Sequence, residues 1–135
     1  MSQSIPTLVA LDHLVLTVAD IAATVVFYEQ VLGMTAERFQ TAQGDTRWAL
    51  RFGRMKINLH QRGAEFEPKS AHPTPGSADL CFLTDHPFDD WQRHLSGISI
   101  EIEEGPVPRT GAAGPLMSIY VRDPDLNLIE IAVTP

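Results

Sequence analysis

Cysteine is all but missing from this chain: Cys81 is the only one in 135 residues, so no disulfide can form within it. The structure must rest on an ordinary buried core, for which this length suffices in one domain. A reducing compartment is the natural setting for such a chain. Basic residues are also scarce. Ten Lys and Arg stand against 17 Asp and Glu, giving a formal net charge of −7 and a pI of about 5.0. That balance argues against non-specific binding to nucleic acid or to anionic membrane. No run approaches the roughly 18 apolar residues needed to cross a bilayer. Met1 to Pro6 lacks the basic and apolar regions of a signal peptide. With 44% hydrophobic and 20% charged residues, a composition ordinary for globular proteins, the expectation is a soluble, cytoplasmic protein.

What is present is a pattern that runs twice. Val9 to Val18 alternates as a strand, with Leu14, Leu16 and Val18 on one face and His13, Val15 and Thr17 on the other. Asp20 is placed to cap a helix whose stripe is Ile21, Val25, Tyr28 and Leu32, and Gly33 is placed to end it. Strand-like runs follow at Met34 to Thr41, Thr46 to Phe52 and Met55 to Gln61, with Gly44-Asp45 and Gly53-Arg54 as turns. Residues 63–77 carry three prolines and read as an ordered linker. The order then begins again: a strand from Ala78 to Thr84, and a helix opened by Asp85 and Pro87 with Phe88, Trp91 and Leu95 as its stripe. Next come a strand from Ile98 to Glu103, a Gly/Pro-rich loop from Gly105 to Pro115, and strands at Leu116 to Arg122 and Asn127 to Val133. The repeat predicts an α+β fold: two βαβββ modules, about 8–62 and 78–134, forming a curved, barrel-like mixed sheet with the helices outside.

Each module carries polar misfits on otherwise apolar strands. Glu130 lies among Leu128, Ile129, Ile131 and Val133, where a carboxylate is costly unless something pairs with it or coordinates it. His13, Asn58, His60 and Asp79 are similar intrusions. The sharp reading is a shared groove in which His13, His60 and Glu130 hold a metal. The plainer reading of Glu130 is an ion pair with Arg51 or Arg122, and that of Cys81, between Leu80 and Phe82, is a small core residue. Arg109 is either an anion clamp on a mobile loop or a solvated charge. Trp48 is either packing or a pocket wall. His72, His86 and His94 read as linker and helix-surface residues.

Several motifs bear a resemblance. Leu11-Asp12-His13-Leu14, Phe27-Tyr28, Val31-Leu32-Gly33-Met34, and Asp123-Pro124-Asp125 followed by Ile129-Glu130 resemble the vicinal-oxygen-chelate superfamily of glyoxalases, bleomycin-resistance proteins and extradiol dioxygenases. Asn58-Leu59-His60, Phe66-Glu67-Pro68-Lys69, His72-Pro73-Thr74-Pro75-Gly76-Ser77 and Glu104-Gly105-Pro106-Val107-Pro108-Arg109-Thr110-Gly111 look like glyoxalase domain-containing protein five and its bacterial relatives. The resemblance implies the paired βαβββ fold, a homodimer, and a divalent metal (zinc, nickel, manganese, cobalt or iron) acting as a Lewis acid on a substrate with two neighbouring oxygens. By position His13 and Glu130 match family ligands. The fourth-strand ligand falls at Asn58, with His60 two residues on, and the remaining ligand falls at Asp79. The expected metal set is therefore His13, His60 and Glu130. Glu130 and Asp79 are the catalytic carboxylates, and Arg109, Trp48 and Asn58 are substrate contacts. The resulting activity is a metal-dependent glyoxalase-like lyase or isomerase. Its alternatives are an iron(II) extradiol-type dioxygenase and a metal-free, ligand-sequestering protein of bleomycin-resistance type. The 7% aromatic content suits the last of these least.

Overall fold

A computed structural model describes residues 4–135. The elements run β1 (His13–Val18), α1 (Ile21–Gln30), β2 (Thr35–Gln40), β3 (Thr46–Phe52), β4 (Met55–Gln61), β5 (Asp79–Leu83), α2 (Phe88–Gly97), β6 (Glu104–Gly111), β7 (Gly114–Arg122) and β8 (Leu128–Val133). They form two four-stranded mixed sheets, ordered β1-β4-β3-β2 and β5-β8-β7-β6, and neither closes into a barrel. In each, the first and last strands of the module pair in parallel, β1 with β4 and β5 with β8, and the other pairs are antiparallel. Among the described residues no helix is long and apolar enough to cross a membrane.

Strand alternation divides each sheet into a core face and an open face. Leu16, Val18, Leu50, Ile57 and Leu59 of the first sheet share one buried cluster with Ile119, Val121, Ile129 and Ile131 of the second. Phe27, Tyr28 and Val31, from α1 and its C-cap, belong to the same cluster, as does Leu95 of α2. The Asp20 side chain caps α1 by accepting from the Ala23 amide, and Gly33 takes the left-handed conformation just beyond the helix. α2 begins one step differently from the sequence expectation. Its N-cap is Pro87, with no side-chain cap, and Asp89 and Asp90 lie in the first turn.

The modules are joined by a buried polar hub. Asp123 accepts hydrogen bonds from the Tyr28 hydroxyl at 2.7 Å, from the Asn127 side-chain amide at 2.8 Å, and from the backbone amides of Asp125 and Asn127 at 2.9 Å. Asp125 accepts from the Ala19 amide, and the Asn127 side-chain oxygen accepts from Ala78 N–H. Burial and the Asp123 carboxylate together push the Tyr28 hydroxyl far above its ordinary value, so it remains a donor.

Two stretches depart from the alternation. Ile98 to Glu103 forms no strand: Ser99 sits at a left-handed φ of 58°, and Ile100 and Ile102 reach the core from irregular backbone. The expected Gly/Pro loop is instead the hairpin β6–β7. Pro106 and Pro108 are tolerated because β6 is an edge strand that pairs only with β7. A Cβ at Gly105 would lie 2.4 Å from the Ser118 carbonyl oxygen, so this close approach requires glycine. At the N-terminus the strand starts at His13 rather than Val9, and Ile5, Leu8, Val9 and Leu11 are exposed.

Replacing Tyr28 by Phe removes one buried bond to a carboxylate and is expected to cost about 2 kcal/mol in urea unfolding. An unchanged midpoint would show that the hub does not hold the modules together.

Candidate functional site

The register assigns every candidate side chain to a face. On the first sheet Leu16 and Leu59 point to the core, so His13, Val15 and Thr17 of β1 and Lys56, Asn58 and His60 of β4 share the open face. Arg47 and Arg51 of β3 and Glu37 and Phe39 of β2 complete it. On the second sheet Ile129 and Ile131 are core, and Asp79, Cys81, Glu130, Ser118, Tyr120 and Arg109 lie on the open face. All but one of the candidate residues therefore stand on open faces, but on two different sheets. Among the described residues no group of three His, Cys, Asp or Glu side chains converges within metal-binding reach.

His13 stands next to Lys56, at the start of β1, and its Nδ1–H donates to Asp12 at 2.8 Å. That bond leaves Nε2 as the free nitrogen, the arrangement by which a neighbouring carboxylate fixes a ligating imidazole. His13 in turn holds the Asp12 carboxyl below the usual carboxylate range. His60 pairs with Thr17, four residues along β4 from the position beside His13. At the strand rise this is about 13 Å, too far for both rings to reach one ion. His60 is also engaged: its Nε2 lies 2.8 Å from Arg47 Nη2, and its ring packs edge-to-face on Phe66. Burial first, and the Arg47 guanidinium second, lower its affinity for a proton. The structure thus separates His60 from His13, which the expected metal set had joined. Asn58 lies between them, 5% exposed, with a side-chain oxygen that accepts no hydrogen bond.

On the second sheet Glu130 accepts from the Ser118 hydroxyl at 2.6 Å. Arg51 and Arg122 are occupied elsewhere, with Glu37 and Glu103, so the plain ion-pair reading of Glu130 does not hold. Cys81 stands directly beside Glu130 in the parallel register and is exposed, not a core residue. Burial of the sulfur, the Glu130 charge and a bond to that carboxylate push its thiol up to about 11. Asp79 is exposed, one alternation along from Cys81 on the same face. Arg109 is on strand β6 rather than a loop, and its Nε–H donates to the Tyr120 hydroxyl at 2.7 Å. Trp48 departs from the expectation of a substrate contact: it pairs with Leu59 and packs against the core, and on that side Arg38 lies over its ring. His86, just before α2, pairs with Asp90, and His94 of α2 bonds the Val31 carbonyl. A cavity of about 460 Å³ lies between the end of α1 and α2, lined by Val31, Met34, Phe52, Phe82, Trp91 and Ile131. It contains none of the candidate residues.

Sequence reasoning missed Asp12, Ser118 and Arg47, the residues that hold His13, Glu130 and His60. Ser118 was within reach, because it alternates onto one face with Tyr120 beside an expected final strand. Arg47 required the β3–β4 register.

Residues 10–131 match the family model of the glyoxalase/bleomycin resistance protein/dioxygenase superfamily. The chain belongs to this superfamily. Virulence protein STM3117 of Salmonella typhimurium is 58% identical over 122 residues, 90% of this chain and 82% of that protein. Its crystal structure superposes with a TM-score of 0.88 over 96% of this chain and 100% of that one, at 54% identity. Glyoxalase domain-containing protein RDO1 of Mycosarcoma maydis is 54% identical over 123 residues, 91% of this chain and 67% of that protein. At 25% identity, the lactoylglutathione lyase of Agrobacterium tumefaciens gives a TM-score of 0.66 over 92% of each chain. Members of this superfamily are two-module proteins of this fold, and both sheets here follow it.

The Cys81 environment has a direct consequence. At pH 8 this superfamily member should be alkylated by iodoacetamide on the order of a hundredfold more slowly than an unperturbed thiol, although the residue is exposed. Glu130→Gln removes the negative charge and should speed the reaction. Equal rates in the two proteins would contradict the Glu130–Cys81 contact.

Proposed function

We propose that this chain is a metal-dependent enzyme of glyoxalase type whose site is completed when two copies associate. The observation that carries the reading is the division of its chemistry. His13 and Asn58 stand on the open face of one sheet, and Asp79 and Glu130 stand on the open face of the other. Within one chain these halves do not converge. A second copy brings the second-sheet face of one chain against the first-sheet face of its partner. Charge favours that pairing: Arg47 and Lys56 on the first face form no ion pair among the described residues, whereas Asp79 and Glu130 contribute carboxylates to the second.

The donor set suits a divalent ion. His13 Nε2 is freed by the Asp12 bond, the Asn58 oxygen is buried and unsatisfied, and Glu130 is oriented by Ser118. One nitrogen and harder oxygen donors fit zinc, manganese, iron, cobalt or nickel. His60 is left out of this set, because Arg47 occupies its Nε2 and places a positive charge where a cation would bind. When bound, the metal supplies Lewis-acid stabilisation to the oxygens of a substrate that carries two of them on adjacent carbons. The chain's own residues do the remaining work. Asp79 accepts no hydrogen bond among the described residues and serves as the general base. It takes a proton from a carbon beside one substrate oxygen and returns it to the neighbouring carbon, an isomerisation. Ser118 keeps the Glu130 carboxylate aimed, and Cys81, held as a thiol, donates to it rather than attacking substrate. Arg109, tied to Tyr120 and paired with Glu104, lines the second-sheet half of the site. Lyase chemistry uses the same proton removal, followed by loss of a leaving group.

The melting temperature tests the metal. Zinc, nickel, manganese, cobalt or iron(II) at about a hundred times its dissociation constant should stabilise chelator-treated protein by roughly 2.7 kcal/mol. Glu130→Ala and His13→Ala should each abolish the shift, and His60→Ala should retain it. A wild-type protein that no metal stabilises would overturn the reading in favour of a ligand-sequestering protein.

A further inference from the structure

The open face of the first sheet contains two cations, Arg47 and Lys56, that form no ion pair among the described residues. Acidic residues outnumber basic ones 17 to 10, and Arg51, Lys69, Arg93, Arg109 and Arg122 all find carboxylate partners. Arg38, Arg47, Arg54, Lys56 and Arg62 find none among the described residues, and of these Arg47 and Lys56 stand on the open face. Arg47 is instead flanked by two rings, its guanidinium carbon 4.8 Å from the Phe66 centroid and 5.9 Å from that of Phe39. The Lys56 ammonium reaches from beside His13 to lie 4.5 Å from the same Phe39 centroid. Two like charges gathered on one ring repel each other unless an anion joins them.

The hydrogen bonding points the same way. Arg47 Nη2 lies 2.8 Å from His60 Nε2, and since a guanidinium only donates, that nitrogen is the acceptor and His60 is neutral. The bond fixes the guanidinium but leaves its charge uncompensated. Arg47 Nε is buried and donates to nothing. Glu65, whose charge reaches His60, accepts from the Gly63 amide and forms no ion pair with Arg47. Aromatic flanking and a neutral acceptor fix the guanidinium without compensating its charge, which leaves that charge for an outside carboxylate.

We infer that Arg47 and Lys56, on the rim formed by Phe39, Phe66 and His60, bind a carboxylate group of the substrate. The inference rests on the proposed site at His13 and Asn58 and gives it a substrate class. Arg47 stands beside His60, which is two residues from Asn58 on the same face, or about 7 Å along the strand. The substrate is then a short oxo or hydroxy acid that meets the metal-facing residues with two neighbouring oxygens and carries its carboxylate at the other end. His60 acts as a positioning residue, through Arg47, and not as a ligand.

The test uses the full-length chain as purified, with levulinate as probe and levulinamide, its uncharged counterpart, as control. Binding is followed by NMR of the His60 ring. Levulinate should move the ring resonances saturably and levulinamide should not. Arg47→Gln should weaken levulinate at least about tenfold, and Lys56→Gln should weaken it in the same direction. The second variant also serves if the first does not fold. If levulinate binds where no metal does, the carboxylate site stands and the metalloenzyme reading falls. If metals stabilise the protein but levulinate does not bind, or binds Arg47→Gln as tightly as wild type, the carboxylate site falls alone. Inorganic phosphate binding in place of levulinate would overturn the substrate class.

Discussion

The Asp123 carboxylate is the point on which the arrangement turns. It is buried, it accepts the Tyr28 hydroxyl from the first module, and it holds the turn before β8 through Asn127. A buried carboxylate with that many donors is satisfied in only one relative placement of the two modules. In that placement the core faces share one apolar cluster and the open faces remain apart. The separation of His13 from Glu130 is therefore a consequence of how the modules are fastened, and the proposed need for a second copy follows from it.

The two open faces differ in chemical character. The second-sheet face is built from carboxylates already oriented by neighbours, with Ser118 on Glu130 and Cys81 kept protonated beside it. On the first-sheet face Arg47 and Lys56 lie against aromatic rings, with His60 as a neutral acceptor, beside the Arg51–Glu37 pair. Joining a basic half to an acidic half favours association between unlike faces, so the charges that would complete the chemistry also select the partner surface. The net charge of −7 conceals this division, because the excess of acids is spread over the rest of the chain.

Much of this was legible in the sequence. Period-two alternation found Glu130, His13, Asn58, His60 and Asp79 as polar intrusions, since strand parity alone decides which face a residue takes. Parity also places Cys81 with Asp79 and Glu130, although its apolar neighbours suggested a core residue. Register was not legible. Nothing local says that His13 faces Lys56 rather than Asn58 or His60, and a shift of that size decides which side chains meet. The hairpin β6–β7 was hidden for another reason. Pro106 and Pro108 deny a central strand but not an edge strand, and edge position is a property of the whole sheet. The Asp123-Pro124-Asp125 segment read as a turn; its role as a hub appears only once Tyr28 reaches it from the other module.

The most direct test of the shared site is complementation. His13→Ala and Glu130→Ala chains are purified separately, shown to be metal-free, then mixed under conditions that exchange subunits. A mixed dimer retains one intact pairing, His13 from the Glu130→Ala chain with Glu130 from the His13→Ala chain. The account predicts that the mixture regains metal at about one ion per mixed dimer, while neither variant binds metal alone. No recovery in dimers shown to have exchanged would contradict a site shared between copies.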